Sequence, residues 1–244
     1  MQKATTKIGA EIAKFDALAA RWWDPNGPMK PLHRMNPLRT AWISDRLARH
    51  HGRDPAASEP LAGLGLLDVG CGAGLASEAF ARRGARVTGL DAAGEALDAA
   101  RAHAVAQGLA IDYRDGLPED LPDGETFDAV VALEVIEHVA DRHAFLAALA
   151  RATAPGGLVF LSTLNRTPRS FLMAKLGAEY LLRLLPVGTH DWQMFVTPGE
   201  LGTGLRRAGL QVADIAGMTM DPLTGSWRAS RDVGVNYLMM ARKG

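Results

Sequence analysis

Three glycines at alternate positions, in Asp68-Val69-Gly70-Cys71-Gly72-Ala73-Gly74, stand between an apolar run and an amphipathic one, and no other stretch narrows the choice of fold as far. The run before them, Leu64-Gly65-Leu66-Leu67-Asp68-Val69, reads as a buried strand, and Leu75 to Arg83 reads as a helix. Glycine lets the main chain turn sharply and lets a ligand lie against bare backbone. The first turn of the following helix presents N–H groups that lack intrahelical partners. The next acidic residue at a strand end is Asp91, 21 positions after Gly70, the spacing expected of a carboxylate that accepts hydrogen bonds from ribose hydroxyls. Strand, turn, helix and acid in that order imply a nucleoside-containing cofactor. A dinucleotide fingerprint would place Gly or Ala five positions after Gly70, where Leu75 stands, so an NAD-dependent oxidoreductase is the weaker reading. Cys71 has no basic neighbour in sequence and reads as a small packed residue rather than a nucleophile.

The alternation continues beyond the loop. Arg86 to Leu90, Ala110 to Arg114, Phe127 to Leu133 and Leu158 to Thr163 read as strands, separated by helices over Gly94 to Gln107 and Asp141 to Thr153. A helix over Pro198 to Ala208 and two last strands, Leu210 to Ile215 and Val235 to Ala241, follow, with a turn-rich connection from Met220 to Arg231. This rhythm predicts an α/β fold: a doubly wound, mostly parallel, seven-stranded sheet of Rossmann-like type. Two segments stand outside it. Ile8 to Ala48 reads as a helix through Trp22-Trp23 followed by an irregular cover, because Pro25, Pro28, Pro31 and Pro37 punctuate it. Arg166 to Thr197 reads as a helical insertion after the fifth strand.

Charge and composition exclude several classes. The 244 residues carry 27 Lys and Arg against 27 Asp and Glu, a net charge of zero that argues against a dedicated nucleic-acid binder. The length fits one domain, with a cover at 1–50, a cofactor-binding core at 64–165, the insertion at 166–197 and the rest of the sheet at 198–244. A single cysteine rules out an intramolecular disulfide and fits a reducing, cytoplasmic compartment. Met1 to Lys14 lacks the apolar stretch of a signal peptide, and no run approaches the roughly 20 apolar residues needed to span a bilayer. Membrane contact would then be peripheral, at the inner face of the plasma membrane.

The Asp68 to Gly74 loop, Asp91 and Pro155-Gly156-Gly157 before the fifth strand resemble the class I methyltransferases that use S-adenosylmethionine. A closer resemblance spans nearly the whole chain. Arg21-Trp22-Trp23-Asp24, Lys30-Pro31-Leu32-His33-Arg34-Met35-Asn36-Pro37-Leu38-Arg39, Ser162-Thr163-Leu164-Asn165-Arg166, Gly177-Ala178-Glu179-Tyr180, Gly188-Thr189-His190-Asp191 and Val235-Asn236-Tyr237 together resemble the ubiquinone biosynthesis O-methyltransferases. The resemblance implies two O-methylations, on a polyprenylated dihydroxyphenyl intermediate and on the later demethylubiquinol. It also implies S-adenosylmethionine as methyl donor and association with other enzymes of that pathway. Arg39, Gly70, Asp91 and Leu133 match the family's cofactor contacts, Gly72 and Gly74 complete the loop, and the resemblance to class I enzymes implies that Asp115, after the third strand, bonds the adenine amine.

Methyl transfer to a phenol needs an ionised oxygen in line with the methyl and its sulfur. A phenol of pKa about 10 is ionised to roughly one part in a thousand at pH 7, a deficit of about 4 kcal/mol. Glu134-x-x-Glu137-His138, directly after the fourth strand, is one device for closing that gap. If a helix begins there, Glu134, Glu137 and His138 project from one face, with Asp141 one turn on, and could hold Mg²⁺ or Mn²⁺ against both hydroxyls of a catechol. The motif matches the metal-binding motif of the family's eukaryotic members; the other reading is an acidic first helical turn favoured by the helix dipole. A histidine base is the second device, with His190 first and His33 next; each is equally a hydrogen-bonded loop residue by sequence alone.

Within the insertion, Leu172, Leu176, Tyr180 and Leu184 recur every four residues, flanked by Arg166, Arg169, Lys175 and Arg183. Such a helix over 168–186 suits either a lid packed on the core or a membrane interface from which a polyprenyl substrate is collected. Trp22-Trp23 fits core, substrate wall or interface anchor. A non-catalytic adenosyl-binding membrane adaptor is the third alternative, and the intact acidic motif and His190 argue against it.

Overall fold

The computed structural model describes residues 21–27, 29–172, 192–221 and 224–244. After a turn carrying Trp22 and Trp23, the chain forms α1 (Lys30–His50), β1 (Gly65–Val69), α2 (Leu75–Ala81), β2 (Arg86–Asp91), α3 (Gly94–Ala106) and β3 (Asp112–Asp115). It continues through β4 (Phe127–Leu133), a 3₁₀ turn over Ile136–His138, α4 (Arg142–Ala152), β5 (Thr153–Leu164), α5 (Pro198–Arg207), β6 (Leu210–Met220), β7 (Trp227–Ser230) and β8 (Asn236–Lys243). The strands form one sheet in the order β3-β2-β1-β4-β5-β8-β6-β7. β1 to β5 run parallel, and β8 pairs antiparallel with both β5 and β6.

Alternation along β5 and β8 separates the two layers. Phe160 and Leu238 pack with Met35, Trp42, Ile43 and Leu47 of α1, whereas Leu161, Tyr237 and Met239 pack with Phe145 and Leu149 of α4 and Leu201 and Leu205 of α5. Successive side chains of a strand leave opposite faces, so this central sheet is covered on both. The parallel order reverses between β1 and β4, the position at which open α/β sheets take their ligands.

Two departures from the sequence reading have physical causes. The proline-rich segment expected to be an irregular cover is the 21-residue helix α1. Pro31 sits in its first turn, where a missing N–H costs nothing, and only Pro37 lies inside. An internal proline costs about 3 kcal/mol. Fully burying a large apolar side chain returns roughly 1.5–3 kcal/mol, and α1 buries Met35, Trp42, Ile43 and Leu47. Trp22 and Trp23 lie in the turn before the helix rather than in one. The second departure is β7, which adds an eighth strand to the expected seven. Its four residues pair antiparallel with Gly217–Met220 across a tight connection in which Gly225 N donates to the Asp221 carbonyl at 2.8 Å. A four-residue edge strand leaves little periodic signal among turn residues.

Tyr237 is fully buried on β8, and its hydroxyl donates to the Val196 carbonyl at 2.9 Å, fastening the segment before α5 to the sheet. Tyr237→Phe removes the donor and strands that carbonyl, so a loss of about 1–2 kcal/mol is expected in urea unfolding at constant m-value.

Candidate active site

Gly70, Gly72 and Gly74 all have positive φ, at 70°, 52° and 86°. Each is also pressed against a side chain. A Cβ on Gly70 would stand 2.5 Å from Val135, one on Gly72 2.6 Å from the Trp22 ring, and one on Gly74 2.1 Å from the Tyr113 hydroxyl. Backbone conformation and space both demand glycine at these positions. The loop is pinned to the next strand, since Gly70 N and Cys71 N donate to the Leu90 carbonyl. The Asp91 carboxylate accepts from Gly72 N at 2.7 Å and from Ala93 N at 2.8 Å. A carboxylate is the acceptor type that ribose hydroxyls require, and here it also shapes the loop. The amides of Gly70, Cys71, Gly72 and Gly74 all donate within the protein, which leaves the loop a shaped surface rather than a nest of free donors for a pyrophosphate.

Beneath the loop, Asp68 is buried and accepts from Ser77 Oγ at 2.6 Å. Burial pushes its pKa up to about 6. Cys71 is buried and its thiol is raised well above the ordinary range, chiefly by burial, which agrees with a packed residue. Asp115 sits in register beside Asp91 at the end of β3 and is exposed, and Leu133 closes β4, half-buried.

Arg39 is 4% exposed and stands over the same strand ends. Its Nη1 lies 3.7 Å from Glu134 Oε1, an ion pair without a hydrogen bond, and neither Nε nor Nη1 has a hydrogen-bond partner. Burial lowers its pKa, and the facing carboxyls of Glu134, Asp68 and Glu137 oppose that shift. Two further carbonyl oxygens are buried without donors, Asn36 Oδ1 on α1 and Asn236 Oδ1 at the start of β8. Each such stranded group costs roughly 1–3 kcal/mol.

The acidic motif after β4 does not form the helical face that its spacing suggests. Glu134 has φ of 57°, alone among the described non-glycine residues in having positive φ, and the chain then makes a 3₁₀ turn before extending at Val139. Ser162 Oγ donates to Glu134 at 2.7 Å and Thr163 Oγ1 donates to Glu137 at 2.8 Å, two consecutive β5 residues whose side chains leave opposite faces. Glu137 is buried, and burial together with the charge of Glu134 pushes its carboxyl well up, toward the protonated form. Asp141 caps α4, accepting from His143 N and Ala144 N. Among the described residues no three such donors converge as a cation cage, so Glu134, Glu137 and His138 do not fit the expected Mg²⁺ or Mn²⁺ site.

His33 is a hydrogen-bonded structural residue, its Nε2 meeting the Trp22 carbonyl at 2.8 Å. His190 and positions 173–186 of the insertion lie outside the described residues. The two tryptophans, left without a role by sequence, cover the glycine loop. Trp22 packs with Met29 and Ala73, and Trp23 Nε1 donates to the Ala73 carbonyl at 3.0 Å while its ring stacks on His103 at 3.4 Å. The adjacent pair of tryptophans was the available signal; nothing near them in sequence names the loop as their target.

The Asp68 environment has a measurable consequence. Folding raises this carboxyl's pKa, so the folded chain keeps the proton where the unfolded chain has released it, and the stability linked to it is lost as pH rises from about 4 through about 6. Asp68→Asn should therefore gain on the wild type by up to roughly 3 kcal/mol between pH 4 and pH 7, read from denaturant midpoints at each pH.

Residues 67–161 match the methyltransferase-domain family. A ubiquinone biosynthesis O-methyltransferase from a Methylobacterium species is 53% identical over 96% of this chain and 94% of its own length. A ubiquinone biosynthesis O-methyltransferase from Cereibacter sphaeroides is 51% identical over 98% of this chain and 97% of its own. Among solved structures, magnesium protoporphyrin IX methyltransferase from Synechocystis with bound S-adenosylhomocysteine superposes with a TM-score of 0.65 at 19% identity, over 97% and 95% of the two chains, and shows the shared fold. At this identity over nearly the full length, the chain belongs to the ubiquinone biosynthesis O-methyltransferase family.

Proposed function

We propose that this chain moves the methyl group of S-adenosylmethionine onto ring hydroxyls of a polyprenylated dihydroxyphenyl substrate and of demethylubiquinol, the two O-methylations of ubiquinone biosynthesis. The observation that carries the cofactor reading is the Asp91 carboxylate, held by the Gly72 and Ala93 amides at the strand end beside the glycine loop. Bound S-adenosylmethionine supplies an electrophilic methyl on a sulfonium. Asp91 would accept from its ribose hydroxyls, the unpaired N–H groups of Arg39 would meet its carboxylate, and Asp115 and Leu133 would edge the adenine and the thioether. The internally satisfied loop amides and Leu75 both disfavour NAD.

We assign removal of the phenolic proton to an imidazole, since the acidic motif after β4 does not present its side chains on one helical face. A base of pKa about 6.5 is matched to neutral pH. His190, beside Asp191, is the first assignment and His138, in the turn after β4, the second. Positioning does the rest of the work, by aligning oxygen, methyl and sulfur.

A substrate with a polyprenyl tail is collected from lipid. The first residues of the insertion support a peripheral contact: Phe171 and Leu172 are 48% and 57% exposed, and the ring of the half-exposed Trp192 lies edge-on to Phe171 at 6.3 Å. No described helix is long and apolar enough to cross a membrane. Flotation with anionic liposomes should carry part of the protein upward; complete retention in the aqueous fraction would remove this proposal.

S-adenosylhomocysteine should raise the thermal midpoint whereas NAD should leave it unchanged, and the methylated product should separate an enzyme from a non-catalytic adenosyl binder. Asp91→Ala is expected to weaken S-adenosylhomocysteine binding by about tenfold or more in calorimetry, since charge-assisted hydrogen bonds are lost. His190→Ala should lower turnover by roughly 10²–10⁴-fold with cofactor affinity retained, and unchanged turnover would move the base to His138.

A further inference from the structure

Asn236 opens β8 opposite Leu164, the last residue of β5, and is 5% exposed. Along β8 its neighbour Tyr237 faces α4 and α5, while Leu238 faces α1, so Asn236 shares the α1 face. Along β5 the same face carries Ser162, whose hydroxyl holds Glu134, and Glu134 stands 3.7 Å from Arg39. Met35, one turn before Arg39 on α1, has its sulfur 3.9 Å from Asn236 Nδ2. Asn236 is therefore joined, through Met35 on α1 and through the shared face of β5 and β8, to the group formed by Arg39, Glu134 and Ser162 at the C-terminal ends of the parallel strands. Its amide nitrogen is turned to that sulfur, and its carbonyl oxygen is buried without a donor.

A buried acceptor without a donor is complementary to an O–H donor. We propose that Asn236 reads the hydroxyl beside the one that is methylated, and so sets a preference for substrates with two adjacent ring hydroxyls. The inference rests on the reading of this chain as a phenol O-methyltransferase. Its neighbour on this face of β8, Leu238, and Met35 on α1 are apolar, and a leucine at position 236 would leave no stranded carbonyl. A site built around such an acceptor rejects an analogue that lacks the matching hydroxyl, because the buried group is left unpaired.

The test compares two soluble probes with the same short prenyl chain, a 1,2-dihydroxybenzene and the phenol lacking the second hydroxyl. The wild type should favour the first in kcat/KM by about tenfold or more. In Asn236→Leu that preference should collapse to about twofold, through loss on the dihydroxy probe, with S-adenosylhomocysteine affinity unchanged and the thermal midpoint no lower than in the wild type. Asn236→Ala is the second variant, should the leucine not be accommodated, and is expected to lose the preference in the same way. A retained preference in either folded variant would overturn the assignment, and so would a loss of S-adenosylhomocysteine affinity, which would give the carbonyl to the cofactor's ammonium instead. A wild type that methylates neither phenol would overturn the methyltransferase reading itself and this inference with it.

Discussion

The main chain from Gly70 to Gly74 occupies space where a Cβ at any of its three glycines would collide with Val135, Trp22 or Tyr113, and the rest of the site is arranged around that contact. Three parts of the fold converge on it: the turn before α1 through Trp22, the connection after β4 through Val135, and β3 through Tyr113. Asp91 adds the electrostatic tie, since its two oxygens join the loop to the start of α3. A substitution at any of the three glycines would therefore disturb the cofactor surface together with the element pressed against it, which is the cover in the case of Gly72. Catalytic groups can be placed accurately at this edge because three of the five residues from Gly70 to Gly74 have no side chain to repack.

A second constraint is electrical. Arg39 is a buried cation, and the carboxyls that face it are Glu134, Asp68 and Glu137. Burial opposes the charges of Arg39, Asp68 and Glu137, and the outcome differs with the partners each group has. Asp68 has Ser77, Glu134 has Ser162 and the guanidinium, and Glu137, with Thr163 and a neighbouring carboxyl, is driven toward its neutral form. Removing one member of such a set is more damaging than its own contacts suggest, because the others are left buried and unbalanced. The guanidinium keeps two polar atoms without hydrogen-bond partners even so, which is costly in a core and useful in a binding site.

How far the sequence disclosed this depends on the distance over which each feature is encoded. β4 and the start of α2 are read at their observed limits, because a short apolar run and a glycine turn are local signals. The glycine loop and Asp91 are legible for the same reason, being 21 positions apart within one βαβ unit. α1 was hidden by its prolines, since their local effect is visible in sequence whereas the compensating burial of Trp42, Ile43 and Leu47 is not. The acidic motif misled in the opposite way. Its spacing matches one helical face, but that argument assumes regular backbone from Glu134 onward, and Glu134 is in the left-handed region. The strap formed by Trp22 and Trp23 depends on partners 50 and 80 positions away, Ala73 and His103, and no pattern within a window can show them.

Asn236 is the extreme case, 201 residues from its contact with Met35. In sequence it is one polar residue in an apolar strand; in the fold it is buried, paired with Leu164 of β5 and in contact with Met35 of α1, at the C-terminal ends of the parallel strands. Buried polar atoms without partners occur in several parts of this protein, at Trp42, Ser44, Tyr113, Glu119 and Glu125 among others; those of Arg39, Asn36 and Asn236 lie on α1 and at the start of β8. A fold optimised for stability alone would pair them or replace them with apolar residues. Their retention there, beside a loop that admits a ligand against bare backbone, is what a binding surface requires: the free energy withheld from folding at those atoms becomes available to whichever donor and acceptor groups the ligands bring.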